Sequence, residues 1–142
     1  MTRRTFLGII CLVLFSAACP AVLRAAESPE AAAQKSAEAW LAQIDEGHYG
    51  ESWIAAASFF QSALTQAQWE QSLTAVRQPL GALVSRKLKS ATYAKTLPGA
   101  PDGEYVVLQF ETSFANKKEA IETVTPMREK DGTWKVSGYF IK

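Results

Sequence analysis

Thiols and imidazoles are nearly missing from this chain: its 142 residues include two cysteines and one histidine. Both cysteines, Cys11 and Cys19, fall within residues 1–26. Removal of that segment at Ala21 or later leaves no thiol, which excludes a disulfide, a thiolate nucleophile and a cysteine-based zinc site. The lone His48 has no partner motif and no carboxylates at ligand spacing around it. A metal site, a cofactor and an assembled catalytic set are therefore not expected. Positive charge is also scarce in any one place. With no basic arm or stripe, the chain lacks the electrostatic footprint of a nucleic-acid binder. Its main unbroken apolar run, Phe6 to Phe15, is too short for a stable membrane span.

What is present begins with that run. "MTRRTFLGIICLVLFSAACPAVLRAA" has a basic start, an apolar centre and small residues behind it, the layout of a secretory signal peptide. "TRRTFLG" resembles a twin-arginine signal, and the general secretory route stays open beside it. Cleavage could follow Ala18, Ala21, Ala25 or Ala26. The box before Cys19 is led by Ser16 rather than leucine, which speaks against lipidation. The expectation is a protein exported to the periplasm: residues 1–26 as signal peptide and 27–142 as one α+β domain. Loss of Arg3, Arg4 and Arg24 takes 15 basic residues to 12 against 14 acidic ones, a mature charge near −2. At 48% apolar, the remainder suits one small core.

Three amphipathic helices are expected first. Ser28-Pro29-Glu30 supplies a capping hydroxyl, a proline at the first turn and a carboxylate at the positive end. Ala33, Ala37, Trp40, Leu41 and Ile44 follow at helical spacing, up to Gly47. Tyr49, Trp53, Ala56, Ala57 and Phe60 make the second stripe. Thr65 and Gln68 match a capping box, and Trp69, Leu73, Val76 and Leu80 form the third. "RQPLGALVSRKL" reads as the joint between helix and sheet, with Arg77 in the last turn and Pro79 and Gly81 as the stop.

Beyond Gly81 the apolar period drops to two, and four antiparallel strands in a meander are expected. Asp131-Gly132 reads as a two-residue hairpin turn, and "ANKKE" as the turn before it. The corresponding pairs are Met127 with Val136, Thr125 with Gly138, Thr123 with Phe140, Thr112 with Ile121 and Leu108 with Thr125. Val106, Leu108, Phe110, Ile121, Met127, Trp134, Val136 and Phe140 then share the face covered by the helices. In the first strand Leu88 stands opposite Phe110, so Val84, Arg86 and Leu88 face inward. Glu111 and Glu122 meet on the outer face, relieved by Lys87. Tyr105, Val107, Val124, Tyr139 and Ile141 make that outer face half apolar, fit for a partner or a homodimer.

"WLAQIDEGHYGESW", "VRQPLGALVSRKL", "LPGAPDGEYVVLQFETSF" and "TVTPMREKDGTWKVSGYFI", in this order, resemble a bacterial family known as domain of unknown function 4019. Helices followed by a curved sheet also resemble the cone-shaped nuclear transport factor 2-like (cystatin-like) superfold. That resemblance implies a pocket between helices and sheet, in a superfold that includes isomerases, dehydratases, small-ligand binders and interaction domains. It implies no particular activity.

Arg86 is the sharpest candidate residue. A guanidinium among Val84, Leu88 and Phe110 needs a partner. With Thr112, Thr123 and Thr125 on the same expected face it could hold a small anionic or polar ligand. The favoured reading of Arg86 is instead an ion pair to Asp45 or Glu46 that locks helix to sheet. The favoured function is a non-catalytic periplasmic module binding a small molecule or an envelope protein. The alternative is a small isomerase or hydrolase using Asp45 or Arg86 in a pocket.

Overall fold

The computed structural model describes residues 25–142; the expected signal peptide, residues 1–26, lies almost wholly outside them. Four helices precede four strands: α1 Pro29–Asp45, α2 Tyr49–Ile54, α3 Ser58–Ala63, α4 Gln66–Leu80, β1 Leu83–Ala94, β2 Tyr105–Phe114, β3 Lys117–Arg128 and β4 Trp134–Ile141. The strands form one antiparallel meander in the order β1-β2-β3-β4. The chain is thus an α+β domain with the helices against one sheet face. None of the described helices is long and apolar enough to cross a membrane.

The helix signals work as their chemistry dictates. Ser28 caps α1 by accepting from the Ala31 amide at 3.2 Å, and Gly47 leaves the helix with φ +82°. At α4, Thr65 accepts from the Gln68 amide at 3.2 Å while the Gln68 side chain accepts from the Thr65 amide at 2.9 Å. The second expected helix is instead two short ones. Ala57 breaks the run with extended backbone and gives its amide to the Val136 carbonyl at 2.8 Å, so this turn is tied to β4 rather than continued. Along α4 the inward stripe is Trp69, Leu73 and Arg77, and Val76 is exposed. The strict i, i+4 row therefore carries a charge into the interior, where the sequence reading placed valine.

Pro79 sits inside the last turn of α4 instead of beyond its end. Gly81 then turns the chain with φ +73°, a conformation that favours glycine. The tight β2–β3 turn packs against this stop: the Asn116 amide donates to the Leu80 carbonyl at 2.9 Å, and Asn116 Nδ2 to that of Pro79 at 3.1 Å. One turn thereby satisfies two carbonyls that the ending helix leaves free.

The meander is as expected, but two turns and four register shifts change which side chains face in. The β2–β3 connection is the pair Ala115-Asn116, with Phe114 opposite Lys117, not the longer "ANKKE" loop. That turn is two residues shorter, and a register shift between Thr112 and Phe114 gives one back, so every later pairing lies one residue from the expected one: Leu108 meets Val124 and Thr112 meets Ala120. Ala120, Glu122, Val124 and Pro126 consequently face the helices, while Ile121, Thr123, Thr125 and Met127 face away. The β3–β4 loop, by contrast, is one residue longer than a two-residue turn. The Gly132 amide bonds to the Glu129 carbonyl and the Glu129 amide to the Thr133 carbonyl, with Gly132 at φ +87°, the three-residue hairpin geometry.

That extra residue pairs Met127 with Lys135 rather than Val136, and a bulge at Ser137 restores Thr125 to Gly138 and Thr123 to Phe140. Pro126 has no amide for the ladder and sits at this bulge, where a strand tolerates proline. Because the bulge changes parity, both Val136 and Tyr139 point inward, and Phe140 is exposed. In β1, Leu88 opposes Phe110 and Lys87 opposes Glu111 as expected, with bulges at Val84 and Lys89. Val84 is 68% exposed, so it faces out, contrary to its expected inward place.

The core lies between the inner sheet face and the helices. Val106, Leu108, Phe110, Val124 and Val136 meet Ala33, Ala37, Trp40, Leu41, Ile44, Trp69 and Leu73. Trp40, Trp69 and Tyr139 form an edge-on aromatic group, with Trp40 5.4 Å and Trp69 6.3 Å from the Tyr139 ring. Buried Ser52 orders it from below: the Trp40 indole donates to the Ser52 carbonyl at 2.7 Å and the Trp69 indole to its Oγ at 2.9 Å. Both indole N–H groups are thus satisfied away from water, as burial requires.

Candidate functional site

Two places hold the polar chemistry of this domain: a cluster inside and a groove outside. The inner cluster gathers side chains from α1, α4 and all four strands. Asp45 ends α1, Arg77 lies in the last turns of α4, Arg86 is on β1, Thr112 on β2, Glu122 on β3 and Tyr139 on β4.

Glu122 is fully buried and is the hub. One of its oxygens, Oε1, accepts from Arg86 Nε at 2.6 Å and from Thr112 Oγ1 at 2.6 Å. The other, Oε2, accepts from Arg86 Nη2 at 3.2 Å and from the Tyr139 hydroxyl. The opposite side of the Arg86 fork is bidentate to Asp45, Nη1 to Oδ2 at 2.7 Å and Nη2 to Oδ1 at 3.0 Å. Asp45 Oδ1 also receives Arg77 Nη2 at 3.0 Å. Two cations and two carboxylates balance, and the Arg86–carboxylate contacts have the two-pronged geometry that only arginine supplies.

The electrostatics of this group follow from its burial. Desolvation alone would lower the Arg86 pKa, but its hydrogen bonds to Asp45 and Glu122 and their charges outweigh it, so the value is raised. Burial, then the charge of Glu122 and its hydrogen bond, push the Tyr139 hydroxyl far above an ordinary phenol. Tyr139 is thereby held as a neutral donor. The Arg77 guanidinium lies 4.8 Å from the centre of the Phe114 ring, a cation–π placement. Its Nε and Nη1 are buried without a hydrogen-bond partner among the described residues.

These facts locate each expected site residue. Arg86 and Thr112 come together, 2.6 Å on either side of the same Glu122 oxygen. Thr123 and Thr125 do not join them. With Glu122 and Val124 turned inward, the two threonines lie on the other face, and the expected hydroxyl row dissolves. Glu122 does not stand opposite Glu111 either; Glu111 pairs with Ile121 and Glu122 with Phe110. Arg77 does more than complement helix carbonyls, since it reaches Asp45. Pro79 and Gly81 keep their place at the joint. His48 is in a surface turn, 56% exposed, with Nδ1 3.4 Å from Glu46.

The sequence reading missed Glu122 and Tyr139 as interior residues. The signal that could have found Glu122 is arithmetic: two inward-facing arginines need two carboxylates, and Asp45 is only one.

The groove lies on the sheet face away from the helices and has a volume of about 750 Å³. Ser85, Lys87, Glu111, Ser113, Glu119 and Ile121 point into it by strand alternation, and Lys118 and Lys142 complete its charged lining. Lys142 is fixed there by two backbone bonds with Ile121, at 2.9 and 3.0 Å. Among the described residues, none of these five lysine and glutamate side chains has an ion-pair partner within 4.0 Å. The outer face is less apolar than expected, because Val124 and Tyr139 belong to the core and Tyr105 is buried. The Tyr105 hydroxyl donates to the Pro101 carbonyl at 2.5 Å, which closes the β1–β2 loop over this ring. A smaller hollow of about 190 Å³ sits between Ser36, Trp40, Gln43, Ala55 and Val136.

A helical layer on a four-stranded meander, clamped by a six-residue polar cluster, defines the class of domain. The chain belongs to the family described as "Protein of unknown function (DUF4019)", whose model matches residues 36–139. Compared with curated proteins, the chain matches none.

Proposed function

We propose that this chain is an exported, non-catalytic binding domain of the bacterial periplasm whose ligand sits in the outer groove, not between helices and sheet. The observation that carries this reading is the contrast between its two polar regions. Inside, Arg86 and Glu122 are engaged by partners of the same chain. Outside, five charged side chains line an open groove with no ion-pair partner among the described residues. An isomerase or hydrolase using Asp45 or Arg86 would need those groups free to meet a substrate, and both are occupied. Export rests on the signal-like residues 1–26. The order of helices then meander supports the likeness to the nuclear transport factor 2-like superfold, which hosts binders as readily as enzymes.

Two mass measurements on protein recovered from a bacterial periplasm test this. The denatured mass should correspond to cleavage after Ala18, Ala21, Ala25 or Ala26; an uncut chain retained in the cytoplasm overturns export. The native mass should exceed the denatured one by a small molecule, or by a protein partner that leaves on Lys118→Glu substitution. A bare chain at every concentration tested overturns the binding reading.

A further inference from the structure

We propose that the outer groove is a site for a short zwitterionic peptide, one that carries both carboxylate and ammonium groups. This deepens the binding reading above and rests on it.

The argument starts from signs. Lys87 on β1, Lys118 at the start of β3 and Lys142 after β4 bring three ammonium groups to one depression. Glu111 on β2 and Glu119 on β3 bring two carboxylates to the same place. A purely anionic ligand meets the two glutamates and a purely cationic one meets the three lysines, each a repulsive contact that weakens the wrong partner. A ligand of both signs finds a counter-charge for each of its own.

Lys87 and Glu111 make the point locally. They face each other across the β1–β2 ladder yet do not close into an ion pair within 4.0 Å. Their charges remain open to a third party. Beside them in the groove are Ser85 and Ser113, the next outward pair on β1 and β2, and Ile121, opposite Glu111 on β3, which suit a peptide's amides and a small side chain. The volume of about 750 Å³ lies within the range of small-ligand sites, roughly 300–1,000 Å³, enough for a few residues. The rim is also ordered, since the backbone of Lys142 is bonded both ways to Ile121.

The test is a titration of ¹⁵N-labelled protein with the tripeptide Lys-Ala-Glu, followed by amide shifts. Succinate and 1,4-diaminobutane serve as the single-sign probes. Saturable shifts at Glu111, Ile121 and Lys142 are expected with the tripeptide, and affinity about tenfold lower for either small ion. Lys87→Glu and Lys118→Glu should each weaken the tripeptide about tenfold; both lysines are exposed, so the fold should persist, as unchanged shifts of Leu41 and Leu108 would report. Absence of saturable shifts, equal binding of succinate, or variants that bind unchanged each overturn the proposal. So does a groove closed by a second copy, seen as concentration-dependent mass in sedimentation. If the tripeptide fails while the native mass still shows a retained molecule, the ligand class falls and the binding reading stands. If both fail, both fall.

Discussion

Arg86 and Glu122 occupy strands that are not neighbours, β1 and β3, and meet over the intervening β2 with Nε 2.6 Å from Oε1. The contact ties three strands side by side, and the Asp45 carboxylate at 2.7 Å on the other prong ties them to α1. Such a pair is formed under a layer of helices, where losing one partner strands the other without water.

Arg86→Ala should therefore lower unfolding free energy by about 3–5 kcal/mol, because Glu122 is left as a buried, uncompensated charge while Asp45 keeps only Arg77. Urea denaturation followed by tryptophan fluorescence measures this. Pairing Arg86→Met with Glu122→Leu should recover much of the loss, since an apolar replacement of both partners removes the stranded charge. A double variant no more stable than Arg86→Ala would show that the cluster contributes net stability of its own.

The Tyr139 hydroxyl gives the fold an alkaline limit. Its pKa is raised in the folded state, by burial first and then by Glu122. The neutral phenol is thus favoured by folding, and its contribution is complete below about pH 10, the unfolded value. As pH rises beyond that point the unfolded chain ionises while the folded one resists, and stability falls. Tyr139→Phe should flatten this part of the stability–pH curve at some cost near neutral pH. A parallel curve for the variant would refute the assignment.

Gly81→Ala tests the joint. The residue has φ +73°, and an added Cβ would stand 3.1 Å from both Ala115 Cβ and Asn116 Nδ2. A loss of about 1–3 kcal/mol is expected from this backbone conformation, φ +73° with ψ −164°, which essentially only glycine adopts. Chemical denaturation with an unchanged slope would confirm that only stability has moved.

Glu129 caps a helix from another element. It accepts from the Ser58 amide at 2.7 Å and from the Ser58 hydroxyl at 3.1 and 3.2 Å. Glu129→Ala should cost about 1 kcal/mol, as for other lost N-caps. Hydrogen exchange should quicken at Phe60 and Gln61 before the strands respond.

Much of this architecture was written plainly in the chain. The caps of α1 and α4, the change of period after Gly81, the meander and the pairing of Leu88 with Phe110 follow from local chemistry, and the structure repeats them. Facing errors came from turns and bulges. Ala115-Asn116 is two residues shorter than the loop that composition suggests and a register shift beside it returns one, the Lys130-Asp131-Gly132 loop is one residue longer, and a net change of one inverts a strand. That is why Glu122 was assigned to the outside and Phe140 to the inside. Arg86 was legible as a residue in need of a partner, and Asp45 as a candidate for it. The groove was not legible, because it depends on which lysines of different strands converge after the bulges are counted.

The extra residue Ser137 acts on β4 much as an inserted base acts on a reading frame. Its hydroxyl donates to the Thr125 carbonyl at 2.7 Å and pins the insertion in place. Everything downstream is read on the opposite face from what a straight strand would give, so Tyr139 reaches Glu122 and Phe140 meets solvent. Deletion of Ser137 would make Pro126–Val136 and Thr125–Gly138 consecutive pairs, so the bulge would vanish while both aromatic rings kept their faces. The surplus residue, absorbed within the strand, is what lets a three-residue loop and the Tyr139–Glu122 contact exist in one hairpin.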